Sequence, residues 1–96
     1  MSELAAISQA LKQLKPELTE KFHVSSIGLF GSVVRDDFTA ASDVDIIVDF
    51  SQPIGIEFID LADYIEEKIR KHVDLVSRSG MKDKYFQAIS GEIVYV

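Results

Sequence analysis

The chain has 96 residues, a formal net charge of −6 and no cysteine, with 47% hydrophobic and 27% charged residues; this is the balance of one small folded domain spanning residues 1–96 rather than of a disordered chain. Disulfides, thiolate chemistry and cysteine-based zinc sites are excluded, and the two histidines, His23 and His72, cannot complete an ordinary structural zinc site alone. The acidic charge argues against broad nucleic-acid binding, which needs clustered Lys and Arg, and the length leaves no room for a separate substrate domain, so part of any substrate recognition is expected from outside.

Leu4, Ile7, Leu11 and Leu14 recur at spacings of three and four, which predicts an amphipathic helix with one buried stripe and Ser2 as its cap. Pro16 has no amide to donate and disfavours helical geometry at Lys15, so a break is expected there. A short second helix then carries the buried face on through Leu18 and Phe22, and His23 sits in a connector as an exposed polar residue. Val24 to Phe30 reads as an apolar strand, thinned at Gly28 just before the corner Gly31-Ser32. Gly31 permits a tight turn, and Ser32 can cap a short helix starting near Val33. Such a helix start presents free N–H groups and partial positive charge, a seat for phosphate. Arg35 lies one turn on, within reach of phosphates gathered there, or else paired on the surface with Asp36 or Asp37.

Thr39 to Ser42 is a turn of small residues, and Ser42 either helps to orient the acidic pair beside it or merely closes that turn. The second strand opens with two acids one residue apart. Side chains alternate along a strand, so Val44, Ile46, Val48 and Phe50 form a core face while Asp43 and Asp45 share the other, roughly 6 to 7 Å apart and able to converge on a hard cation. Two adjacent acids raise each other's pKa, and the pair is costly unless water or a metal neutralises it. Asp49, farther along the same face, reads as solvated. A loop over 51–55 leads to another helical stripe, Phe58, Leu61, Ala62, Ile65 and Ile69. Its outer face carries Glu57, Asp60, Asp63, Glu66 and Glu67 early and Lys68, Arg70 and Lys71 late, which suits the helix dipole and also offers an acidic surface to a basic partner.

His72 to Ser77 is a third strand in which Asp74 stands among Val73, Leu75 and Val76. An ionised carboxylate in a half-buried strand needs compensation, which a lysine, an N–H cluster or a metal shared with Asp43 and Asp45 would each provide. Arg78 to Gly80 is a turn, Met81 to about Ser90 a helix in which Tyr85, Phe86 and Ile89 can pack, and Arg78, Lys82 and Lys84 form a small basic patch. Gly91 ends that helix and Glu92 to Val96 is the closing strand. No segment approaches the ~20 apolar residues of a membrane span or the apolar core of a secretory signal, so no membrane partner and a cytoplasmic location are expected.

A phosphate seat beside a divalent-metal seat implies a nucleoside triphosphate. Gly31-Ser32, ten residues, then Asp43-Val44-Asp45 resembles the signature of the DNA polymerase beta-type nucleotidyltransferase superfamily. Within it, Leu29-Phe30-Gly31-Ser32-Val33-Val34-Arg35, the third acid in Val73-Asp74-Leu75-Val76 and the closing Glu92-Ile93-Val94-Tyr95-Val96 resemble the minimal nucleotidyltransferases, antitoxins of HEPN/MNT toxin-antitoxin pairs. The resemblance covers almost the whole chain. It implies an α/β (α+β) fold of the polymerase beta-type, a small mixed sheet of about four strands flanked by helices. The implied chemistry is nucleotidyl transfer, in which an acceptor hydroxyl attacks the α-phosphorus and pyrophosphate leaves. Two Mg2+ ions about 3.5 to 4 Å apart suit such a displacement, with hard carboxylate ligands to hold them. On this resemblance Asp43 and Asp45 bind the ion that grips the triphosphate, while Asp74 completes the acceptor-side site and can assist deprotonation. Gly31 and Ser32 cradle phosphates and Arg35 neutralises them. ATP is the implied donor, and a tyrosine hydroxyl of a cognate HEPN toxin ribonuclease the implied acceptor, silenced by adenylylation. No direct nucleic-acid partner is expected. Two other readings stay open: a non-catalytic antitoxin that neutralises its toxin by binding, which the acidic helix would suit, and a small-molecule adenylyltransferase, although relatives of that kind carry a further substrate-binding region.

Overall fold

The computed structural model describes residues 3–35, 37–39 and 41–96, so Ser2 as a cap and Asp36 as an arginine partner lie outside the described residues. In chain order the elements are α1 (Glu3–Phe22), β1 (Val24–Phe30), α2 (Ser32–Arg35), β2 (Val44–Phe50), α3 (Glu57–Ile69), β3 (Val73–Ser77), α4 (Asp83–Ile89), a 3-10 turn (Ser90–Glu92) and β4 (Val94–Tyr95). The four strands form one sheet in the order β3-β2-β1-β4. β1 runs antiparallel to both β2 and β4, and β2 runs parallel to β3, with α3 making the crossover. This is a mixed α+β domain with an open sheet flanked by helices, as the polymerase beta-type fold requires.

The break expected at Pro16 does not occur: α1 continues through it. A proline inside a helix forgoes one backbone hydrogen bond and costs about 3 kcal/mol relative to alanine. Against that, the apolar stripe spans the proline on one continuous face. Ile7, Leu11 and Leu18 are buried, and Leu4, Leu14 and Phe22 pack against the core. Each fully buried leucine contributes about 1.5–3 kcal/mol, so packing on both sides of Pro16 outweighs the local defect. The helix ends at His23, which takes the left-handed conformation at φ 58° and donates its amide to the Thr19 carbonyl at 3.1 Å.

The core lies between the sheet and the two long helices. Val24, Ile27 and Leu29 of β1, Val44, Ile46 and Val48 of β2 and Leu75 of β3 join Leu61 and Ile65 of α3 and the α1 stripe in one cluster. The expected apolar face of β2 is therefore the buried one. Gly28 has a packing reason as well: a Cβ there would come within 2.7 Å of the Ile93 side chain, so glycine lets the C-terminal segment close on β1. That segment is further held by the Val96 amide donating to Ile27 O at 3.0 Å and by Lys15 Nζ donating to Val96 O at 2.8 Å.

Three expectations near the C-terminus need correction. α4 spans only Asp83–Ile89, and β4 only Val94–Tyr95, so Glu92 lies in the 3-10 turn and not in a strand. Arg78 is not a free member of a basic patch: it donates to Asp83 at 3.0 Å and stacks 3.9 Å above the Phe86 ring, bracing α4. Among the described residues no helix is long and apolar enough to cross a membrane.

Candidate active site

β1 delivers the chain to Gly31, which is buried and sits at φ +77°, a conformation that glycine adopts without strain. The Gly31 carbonyl accepts from the amides of Val34 and Arg35 at 3.1 Å each and so starts α2, while Val33, 4% exposed, pins this one-turn helix to the core. Ser32 is half-buried at its first position. Space imposes glycine a second time. A Cβ on residue 31 would lie 2.1 Å from Asp45 Oδ2, so the bare Cα is what lets this carboxylate rest against the corner.

Asp45 stands opposite Phe30 in β1 and in register with Asp74 in β3. In-register residues of neighbouring strands share a face, so the sheet itself places the two carboxylates side by side. Asp43, exposed, precedes the first residue of β2. The Asp45 carboxyl is pushed up from 3.8 to about 6, first by burial, then by the charges of Asp74 and Asp43 and a hydrogen bond with Asp74, with Arg35 pulling the other way. The structure thus brings Asp43, Asp45 and Asp74 into one electrostatically coupled group. Their burial differs from expectation: Asp74 is exposed, and it is Asp45 that bears the desolvation.

Among the described residues no group of three or more His, Asp or Glu side chains is drawn together closely enough to enclose a metal ion. The donor chemistry nevertheless fits a hard divalent cation. Every ligand candidate is a carboxylate, and their mutual repulsion, read from the raised Asp45, is what a bound cation would relieve.

Arg35 holds a carboxylate, although not the expected one at close range. Its Nη1 donates to Glu92 Oε2 at 3.2 Å, whereas Nε stands 4.0 Å from Asp37. The same Glu92 oxygen accepts the Gly31 amide at 3.1 Å. Glu92 is the residue that sequence reasoning missed. The signal lay in strand pairing: β4 runs antiparallel to β1 with Gly28 opposite Tyr95 and Leu29 opposite Val94, so each step toward Gly31 matches a step back toward Glu92. Ser42 closes its turn, accepting from the Thr39 amide at 3.0 Å and donating its own to Thr39 O at 3.0 Å, and so does not orient the acids. Asp49 accepts the Phe50 amide at the far end of β2, and the His72 side chain is 89% exposed. A hollow of about 670 Å³ lies at that far end, lined by Asp49, Pro53, Phe58 and Ser79 among others, away from the Asp45 ledge.

Comparison with known proteins agrees with this geometry. The nucleotidyltransferase domain family matches residues 11–95. The protein adenylyltransferase MntA of Thermococcus cleftensis is 42% identical over 97 residues, covering 100% of this chain and 98% of that protein. A solved chain provisionally named a minimal nucleotidyltransferase superposes with a TM-score of 0.80 at 23% identity, over 98% of this chain and 95% of that one. A chain from the crystal structure of a mutant toxin-antitoxin MntA-HpeT superposes with a TM-score of 0.70 at 20% identity, over 93% of this chain and 70% of that one. With an acid group beside the Gly31 corner and a match across nearly its full length, the chain belongs to the nucleotidyltransferase domain family and is an enzyme of that type.

Proposed function

We propose that this enzyme transfers AMP from ATP, with Mg2+, to a hydroxyl of a partner protein, a tyrosine of a cognate HEPN toxin ribonuclease, and thereby acts as an antitoxin in the cytoplasm. The observation that carries the reading is the Asp45 carboxylate resting on the Gly31 corner, coupled to Asp74 and Asp43. Asp43 and Asp45 would hold the ion on the triphosphate side, and Asp74, the exposed member, a second ion on the acceptor side. Bound there, such ions supply charge neutralisation at the phosphates and acidify the attacking hydroxyl. The chain's own contribution is positioning. Gly31 offers an amide without a side chain, Ser32 begins α2 beside it, and Arg35 brings a positive charge to the same corner. Asp74, which is exposed, would take a proton from an incoming hydroxyl. Full-length similarity to an enzyme named protein adenylyltransferase supports a protein acceptor, and a likeness to a toxin-antitoxin structure supports a toxin as that protein.

The test mixes the chain with its cognate HEPN ribonuclease and ATP labelled on the α-phosphate, with and without Mg2+, and weighs the intact ribonuclease. Magnesium-dependent addition of AMP, reduced at least ~1000-fold in Asp43→Asn, is the expected outcome. A tight complex with no mass change would put occlusion first. One observation favours that second reading: Glu57, Asp60, Asp63 and Glu67 are exposed along α3, next to Ile56 at 78% and Ile59 at 62% exposure, a surface suited to a basic partner with apolar contacts.

A further inference from the structure

The Glu92 contact ties two donors of one corner to a segment distant in sequence. A single oxygen, Oε2, accepts both the Gly31 backbone amide at 3.1 Å and the Arg35 guanidinium at 3.2 Å, across 61 and 57 residues of chain. Those are the two donors that the reading above assigns to phosphate. An oxygen bridging a main-chain N–H and a guanidinium is also how a phosphate oxygen is held. The setting makes the contact selective. Asp43, Asp45 and Asp74 already crowd this side of the sheet, so a fourth carboxylate gains nothing from the general field and is drawn in by those two donors.

We propose that Glu92 is a resident anion in the phosphate seat, which the triphosphate must displace on binding and which returns as pyrophosphate leaves. This rests on the assignment of Gly31 and Arg35 to phosphate. Two anions cannot share one seat, because each needs the same donor directions and their charges repel. The segment that carries Glu92 is built to let it go. Neither α4 nor the 3-10 turn has a fully buried residue, and the Glu92 side chain, 26% exposed, keeps an edge to solvent while it is held by those two donors. The main chain just beyond is fixed, with Ile93 against Gly28 and β4 paired to β1, so release requires a rotation of one side chain and no loss of sheet. Glu92 thereby lowers nucleotide affinity and keeps Arg35 and the Gly31 amide aligned between turnovers.

Calorimetric titration with ATP, and separately with inorganic tripolyphosphate, in Mg2+ buffer tests this on the wild type and on Glu92→Gln. The carboxamide keeps the shape and loses the charge, so both ligands are expected to bind about three- to tenfold tighter to the variant, the range of one partly exposed charge-assisted contact. Glu92→Asp, one methylene shorter, carries the same expectation if Glu92→Gln fails to fold. Unchanged or weaker binding would show that Glu92 only braces the corner, and would overturn the proposal while leaving the phosphate seat standing. If wild type and variants alike fail to bind tripolyphosphate and ATP, the assignment of Gly31 and Arg35 to phosphate falls, and this inference with it.

Discussion

The two faces of β2 are made from alternate residues of the same seven: one is apolar throughout, while the other sets the buried Ile47 between Asp45 and Asp49. On one face Val44, Ile46 and Val48 are 0–1% exposed and meet α1, α3 and their strand neighbours in one cluster. On the other, Asp45 is partly buried beside two further acids and its carboxyl is pushed up to about 6. The first face joins the main core cluster. The second carries repulsion that the first must overcome, and it is the side on which the Gly31 corner and Arg35 gather. The candidate site lies on the face where the fold is locally unfavourable.

The comparison is broken most severely from the apolar side. Ile46→Ala removes a fully buried side chain in the middle of the sheet and is expected to cost about 2–5 kcal/mol, read as a lowered urea midpoint with unchanged slope. Its activity per folded molecule should be retained, since Ile46 does not touch the acids' side; loss of activity without loss of stability would refute the division of labour. A smaller effect of opposite sign is expected at Pro16, which is exposed and interrupts the hydrogen bonding of the helix covering that same face. Pro16→Ala should stabilise by about 1–2 kcal/mol, less than the full helix penalty because alanine also frees the unfolded chain, and raise Tm by about 4–8 °C per kcal/mol. A lowered Tm would mean that the proline shapes a bend on which the packing of α1 depends.

Much of this was legible in the sequence, and the reasons are specific. An apolar run located the strand from Val24, and period-two and helical stripes located the strand from Val44 and the α3 stripe, because burial leaves a pattern in the local sequence. Gly31, Asp43 and Asp45 could be read together from a fixed corner and strand spacing, whereas Asp74 joined them only through the family resemblance. Pro16 misled because local geometry was weighed without the packing on either side of it. Glu92 escaped because its meaning comes from the antiparallel pairing of β4 with β1, and a tertiary neighbour 61 residues away leaves no mark on local spacing. Asp74 was placed in the right company but in the wrong environment: β3 is the last strand on its side of the sheet, so this side chain meets solvent and Asp45 bears the desolvation.

The smallest effect sharpens the comparison most, because it separates stability from function at one atom pair. Asp45 titrates near 3.8 when free and at about 6 in the fold. Well below pH 3.8 it is protonated in both states and imposes no penalty. Between about pH 4 and 6 the folded protein binds the proton more tightly than the unfolded chain, so stability falls as pH rises, and above about 6 the whole penalty persists. Discounted for solvent screening, that penalty is about 1 kcal/mol. Asp45→Asn keeps the shape and cannot ionise, so in buffer containing a chelator at pH 7 it should be more stable than wild type by about 1 kcal/mol, and its stability should lack this fall between pH 4 and 6. Adding Mg2+ should narrow or reverse the difference, because a cation that binds only the folded wild type stabilises it by mass action, by ~2.7 kcal/mol at a hundredfold excess over Kd. Chemical denaturation at several pH values, with and without Mg2+, reads all of this without an acceptor protein. Identical pH profiles for the two proteins would show that Asp45 bears no burial penalty, and that the corner of β1 and the acids of β2 and β3 do not form one site.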